Sequence, residues 1–377
     1  MLKQYLSGNP IFITINTTQE ATLIVNTPDG NSISLIKNPE NGVVKWNIQD
    51  IFEPLVPNRP FDKDEPMIFQ RRGNNPWSDW EKPGVTWIGT PNIEILDSNG
   101  VTITTYDFVV YAGGIKTNLL RKLALNGKNI FDHKLNNYKK NFFMTTRTVN
   151  NYINMPLTEI DFLYYIHSYD RNAPTHPPVM FDIKDFNNNI ITSSPINVIN
   201  YSTIAYNISM YINTPGIYSI SVCEDGTVLN FVEVLIIEVI EPIKSHERYI
   251  LRFKNSYGMY ERIEITGNAV SEQDIEEQEN YLKHDAVTDS FIEQKTRSTA
   301  TDIIKAECGY RTQDRLMFIR DMLQSDDVLL LNNENDWIKV FVTAENNIIP
   351  LRVTKPGSMA FTIRMAESDK FYSPDII

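Results

Sequence analysis

Cysteine is nearly absent: Cys223 and Cys308 are the only two in 377 residues. That excludes a disulfide framework. The opening MLKQYLSGNP carries no apolar secretion signal. Both thiols are therefore expected reduced and buried in a protein folded in the cytoplasm. No apolar run reaches membrane-span length, and the longest, 232–240, is broken by Glu233 and Glu238. There is no excess of positive charge. Lys and Arg number 35 against 47 Asp and Glu, a net charge of −12, which argues against a broad nucleic-acid interface. Also missing are G-x-x-x-x-G-K-[ST], H-E-x-x-H and G-x-S-x-G, and with them the P-loop, zincin and α/β-hydrolase chemistries. His133, His167, His176, His246 and His284 are scattered, so no pair has the spacing of a metal site. No catalytic residue, metal or cofactor is expected.

What the chain has is β structure. A hydrophobic content of 42% supplies real cores, and the length predicts two or three domains. Residues 9–48 alternate short apolar runs (PIFITINT, ATLIVNT, SISLIKN, VVKWNI) with turns at Pro28-Asp29-Gly30 and Asn41-Gly42, the pattern of a sandwich. A helical turn is expected near 47–52. Strands resume at 91–96 and run to Gly114. The basic segment 116–140 reads as a linker with a short helix at 118–125. FFMTTRT opens a second strand-rich stretch that ends near Glu241. The third stretch holds the one clear helix, 312–325, with Thr312 as N-cap and Leu316, Ile319 and Leu323 on one face. The expected fold is mainly β: tandem β-sandwich modules with long irregular arms. The modules are placed at 1–115, 141–245 and 246–377, with an acidic segment at 271–295 that is extended or partly helical.

Three sets of residues invite a functional reading. Prolines recur through 53–89, where Trp77, Trp80 and Trp87 crowd together with Phe61 and Phe69. Such a loop packs its rings on its own module or on a neighbouring subunit, or else offers a stacking platform to a glycan. Asp62, Asp64 and Glu65, and separately Asp182, Asp185, Asn187 and Asn189, supply oxygen ligands of the kind Ca²⁺ uses. Neither set has EF-hand spacing, and solvated loop carboxylates and an Asn-rich turn account for them. Lys116, Arg121, Lys122, Lys128, Lys134, Lys139 and Lys140 form the one local positive stretch. Its readings are a solvated linker or a contact with an acidic neighbour, such as segment 271–279 of another copy.

The strongest single signal is RYILRFKNSYGMYERIEITG, 248–267. Tyr249, Leu251 and Phe253 alternate with Ile250, Arg252 and Lys254. An Asn255-Ser256-Tyr257-Gly258 turn follows, then a second alternating run, which together predict a β-hairpin. Arg248, Tyr249, Leu251, Arg252, Phe253, Asn255, Ser256, Tyr257 and Gly258, then Glu261, Glu264, Thr266 and Gly267, form a signature. It resembles one in structural proteins from phages and prophages of Bacteroides-type gut bacteria, crAss-like phages among them. FFMTTRT at 142–148, FLYYIH at 162–167, RLMFIRDMLQSDDV at 315–328 and FYSPDI at 371–376 belong to the same resemblance. It implies a non-enzymatic virion tail component, made without a signal and assembled in the host cytoplasm. Its implied partners are copies of itself and neighbouring tail proteins. A receptor- or glycan-binding tail protein using the tryptophan loop is the second reading, and a head–tail joining ring the third.

Overall fold

The computed structural model describes residues 3–26, 32–52, 67–70, 93–106, 108–111, 113–125, 141–147, 152–167, 179–196, 202–224, 231–242, 244, 248–277, 279–332, 336–345 and 356–368. The fold is mainly β, built from several separate sheets. The chain forms two compact units, one of residues 1–242 with 254–261 and the other of 243–253 with 262–377.

In the first unit, Ala21–Asn26 pairs antiparallel with Ser32–Lys37 and with Ile93–Leu96, and Thr102–Tyr106 closes that sheet. Ala21, Leu23 and Val25 are buried at every second position, with Ile93 and Ile95 beside them. The antiparallel pair Phe12–Asn16 and Val43–Asn47 adds Ile13, Val44 and Trp46 to the same core. The helical turn expected near 47–52 is Gln49–Phe52, and Phe52 is buried. Lys3–Leu6 runs parallel to Phe108–Tyr111. The short helix Thr117–Leu125 packs Leu123 into this core.

A second sheet explains why FLYYIH reads as a continuous apolar run. Phe162–His167 lies between Asn141–Phe143 and Ser202–Asn207, all antiparallel. Phe162 and Tyr164 join the first core with Ala205, whereas Leu163, Tyr165 and Tyr206 join a second core. Successive side chains on a strand point to opposite faces. Both faces of this sheet are therefore covered, and alternation disappears. The second core is completed by a five-stranded sheet ordered Tyr152–Pro156, Phe231–Ile240, Gly216–Glu224, Val179–Asp185 and Ile190–Ile196. Phe181 stacks on Tyr206 at 4.0 Å between ring centroids, and Phe143 meets Phe181 edge-on at 6.3 Å. Burial pushes the Tyr206 phenol up to about 12.

The segment 53–89, expected to be irregular, contains a strand. Met67–Gln70 pairs with Ser202–Asn207 at the edge of the central sheet, and Phe69 stands opposite Ile204. Four residues are too few to show a period, and flanking prolines are tolerated at a sheet edge. Trp77, Trp80, Trp87 and Phe61, with Asp62, Asp64 and Glu65, lie outside the described residues.

The second unit is organised on a seven-stranded sheet. Its order is Tyr260–Ile265, Tyr249–Lys254, Val328–Leu331, Trp337–Ala344, Ala360–Met365, Thr299–Glu307 and Ala269–Glu276. Helix Gln313–Leu323 buries Leu316, Phe318, Ile319 and Met322 in the core of this unit, with Phe318 5.0 Å from Phe253. Thr312 sits at the N-cap with extended backbone but makes no side-chain cap bond, so the expected hydroxyl cap is not formed. Cys308 is a free, buried thiol whose pKa burial raises. Cys223 lies on Gly216–Glu224.

Because adjacent tyrosines face different cores, Tyr164→Ala and Tyr165→Ala should each cost about 3–5 kcal/mol. The urea unfolding midpoint reads this. A near-neutral result for either variant would contradict burial on both faces.

Candidate functional site

The signature residues converge on a buried polar node in the first unit. Its base is the turn itself. The Gly258 amide donates to the Asn255 carbonyl at 2.7 Å, and the Asn255 amide donates to the Met259 carbonyl at 2.7 Å. Gly258 has φ +79°, so a left-handed residue closes the three-residue hairpin loop. The Asn255 carboxamide uses its full capacity. Its Oδ1 accepts from the amides of Tyr257 (2.9 Å) and Met259 (3.0 Å). Its Nδ2 donates to the Met144 carbonyl (3.0 Å) and to Glu261 Oε2 (2.6 Å). Two donors and two acceptors are what a carboxamide has, and neither Asp nor Ser could replace the set.

Glu261 is buried and fully engaged. Oε1 accepts from Thr145 Oγ1 at 2.6 Å and from Arg147 Nε at 3.2 Å. Oε2 accepts from Asn255 and, at 3.3 Å, from the Thr146 amide. Arg147 also pairs with the buried Glu159 through Nη1. FFMTTRT and the hairpin signature, 111 residues apart at Asn255 and Met144, thus meet through their polar atoms. A buried carboxylate is tolerated only when paired and hydrogen-bonded in this way.

Glycines let backbones close over the turn. Gly113 has φ +93°, and a Cβ there would overlap the backbone of Ser256 and Tyr257. The Gly114 amide donates to the Ser256 carbonyl at 2.6 Å, and the Gly8 amide to the Gly113 carbonyl at 2.7 Å. Tyr257 packs partly buried against the first core.

The remaining signature residues serve the second unit. Arg248 pairs with the buried Glu264. The buried Arg252 guanidinium lies over Trp337 at 4.5 Å, and that of Arg262 over the same ring at 5.5 Å. Tyr249 and Phe253 belong to the core. Thr266 Oγ1 accepts from Arg311 at 2.9 Å, and the Gly267 amide donates to the Glu307 carbonyl at 3.0 Å. Sequence reading found these residues through the signature. It did not find that Arg147 links Glu261 to Glu159, because sequence alone does not show which turns meet.

The Asp182–Asn189 set is a turn. Asp185 accepts from the amides of Asn187 (2.9 Å) and Asn189 (2.8 Å) and from Asn189 Nδ2 (2.8 Å). These bonds, the Asn189 side chain first, hold the Asp185 carboxyl below its usual range. Asp182 accepts from Ser193 at 2.6 Å. Among the described residues no three His, Cys, Asp or Glu side chains are grouped as metal ligands. His284 contacts Asp289 at 3.1 Å, His167 lies on Phe162–His167, and His133, His176 and His246 fall outside the described residues.

The other notable surface is a ribbon on the second unit. The acidic segment expected to be extended or partly helical is β structure throughout its ordered elements. Ala269–Glu276 pairs with Thr299–Glu307, and the ribbon continues as Tyr281–Asp285 against Ser290–Gln294. Val270, Ile275, Tyr281, Leu282, Val287, Phe291 and Ile292 are all exposed, Val287 by 92%. Exposed ion pairs join its strands, Lys305 to Glu272 and Lys295 to Glu277, both at 2.7 Å. Lys295 keeps the Glu277 carboxyl below its usual range, and Glu272 raises Lys305. At the tip, Asp285 accepts from Thr288 Oγ1 (2.6 Å) and the Val287 amide (3.1 Å).

No family model and no curated protein matches the chain. Among solved structures, the BSP domain of a biofilm-associated protein aligns at 10% identity over 65% of this chain and 29% of that one, with a TM-score of 0.18. Trypsin-activated α2-macroglobulin from Escherichia coli aligns at 12% identity over 95% and 21%, TM-score 0.18. Salmonella α2-macroglobulin reacted with methylamine aligns at 11% over 98% and 20%, TM-score 0.17. The chain spans less than a third of each, and similarity at this level carries no argument.

The node yields a sharp test. Asn255→Asp keeps shape but replaces two donors with a second carboxylate against Glu261, and should cost about 3–5 kcal/mol near neutral pH. The new group's folded pKa is raised above its unfolded value of ~3.9. Protonation restores a donor, so the deficit against wild type should shrink as the pH falls through that raised value. Urea titrations at several pH values read this, and a deficit independent of pH would count against the carboxylate contact. At the ribbon tip, the hydroxyl of Thr288 and then the Val287 amide hold Asp285 below its ordinary value of 3.8. Its contribution to the turn is therefore present above that value and lost only as the pH drops through the lower, folded one. The Val287 amide shift, followed by NMR, should titrate with a midpoint below 3.8, and a midpoint above it would contradict the bond.

Proposed function

We propose that this chain is a non-enzymatic structural component of a phage virion, a tail part that assembles with copies of itself and with neighbouring tail proteins. The observation that carries the reading is the ribbon at 269–298. Seven large apolar side chains stand exposed on it, and a two-stranded ribbon leaves backbone edges unpaired. Such a hairpin is marginal by itself in water, and exposed apolar surface of this kind marks interaction sites. Its natural role is an arm that gains order against another subunit. The signature supports the same reading: Asn255, Glu261, Arg147 and Glu159 are engaged with one another in holding the fold, as in a part selected to be rigid. The resemblance to structural proteins of gut phages supports a role in a virion, assembled in the host cytoplasm.

Replacing 277–298 by a short turn, which keeps Ala269–Glu276 paired with Thr299–Glu307, should leave the thermal and urea transitions of the rest of the chain unchanged. It should also abolish association measured by light scattering and incorporation into particles. An armless protein that still joins particles at the wild-type level would overturn the reading.

A further inference from the structure

We propose that the arm of one copy seats on the basic helix Thr117–Leu125 of a neighbouring copy, an inference that rests on the self-assembling reading above. Between 271 and 298 the arm carries eight acidic and three basic side chains. Two arms side by side would set like charges together, so charge favours a basic seat over symmetric arm-to-arm pairing. The helix provides one. Its sequence TNLLRKLAL contains no acid, and Lys116 precedes it. Lys116, Arg121 and Lys122 are exposed. Arg121 and Leu125 are four residues apart and share a helix face, and Leu125 is 80% exposed. The arm offers the complementary pattern. Leu282 pairs across the ribbon with Glu293, and His284 with Phe291, so all four lie on one face. Leu282 and Phe291 match Leu125, and Glu293 matches Arg121.

A competing apolar surface has the wrong charge. On the five-stranded sheet, Tyr152, Ile217 and Ile236 are exposed around Glu238. The Tyr152 hydroxyl and the Asn154 carboxamide bond to that carboxylate and lower its pKa. With Glu238 and Asp182 against the single Lys184 among the described residues of that face, it offers an acidic arm no net basic seat.

The test is the mass of the purified full chain over a concentration series, at low and high salt. Three proteins are compared: wild type, Arg121→Glu/Lys122→Glu, and that variant with Glu279→Lys/Glu293→Lys added. All four positions are exposed, and thermal unfolding verifies folding. Wild type should associate, more weakly in high salt. The helix variant should lose association by about tenfold or more, and the fourfold variant should regain it. If wild type associates and the helix variant does so equally, the seat is wrong while self-assembly stands. If wild type remains monomeric throughout, self-assembly fails and the seat with it.

Discussion

The carboxylate of Glu261 is the constraint on which the first unit depends. An ionised group that is nearly fully buried must find donors inside the protein. Here they come from a threonine hydroxyl, an arginine, a backbone amide and the carboxamide of Asn255. None of these donors is positioned unless the loop 144–147 and the hairpin turn are both in their final form. The same turn requires Gly258 in the left-handed region and Gly113 close against its backbone. The cost of burying ions is considerable, and apolar replacements are often as stable. What the network supplies is a single way to fit the pieces, because any shifted register leaves a buried carboxylate or carboxamide without partners.

That logic explains which parts of the fold could be read from the sequence. The hairpin was legible because alternation and the Asn-Ser-Tyr-Gly turn are local features. The fate of its polar positions was not. Alternation normally assigns polar residues to solvent, yet Arg252, Arg262 and Glu264 are buried. Arg252 and Arg262 are met by Trp337, remote in sequence, and Glu264 by Arg248 across the hairpin. Phe162–His167 was recognisable as a strand, but only pairing shows that its two faces serve different cores. Met67–Gln70 was hidden by its length and by the prolines around it. The helix 313–323 was visible from its apolar face, whereas the missing side-chain cap at Thr312 depends on a rotamer that no sequence pattern encodes.

The acidic segment shows the same limit from the other side. Its lack of a core face in the sequence was a true feature, since its strands are exposed along nearly their whole length. What the sequence hid was the pairing, because the strands are held by each other and by ion pairs rather than by an apolar interior. Asp185 is a related case. Oxygen-rich residues at close spacing are compatible with a cation loop or a tight turn, and here the carboxylate takes its donors from its own turn.

Buried and exposed polar groups therefore have opposite consequences in this chain. At the Glu261 node each polar atom is met within the same unit, and that part of the molecule offers little to a partner. On the arm, acidic and apolar side chains stand side by side in solvent. Acidic side chains along an open ribbon disfavour indiscriminate edge pairing, the recognised hazard of such an edge. A partner must neutralise them to reach Leu282 and Phe291. On the proposed reading, charge is the selective element and apolar contact the source of affinity, so assembly through the arm is expected to weaken with salt.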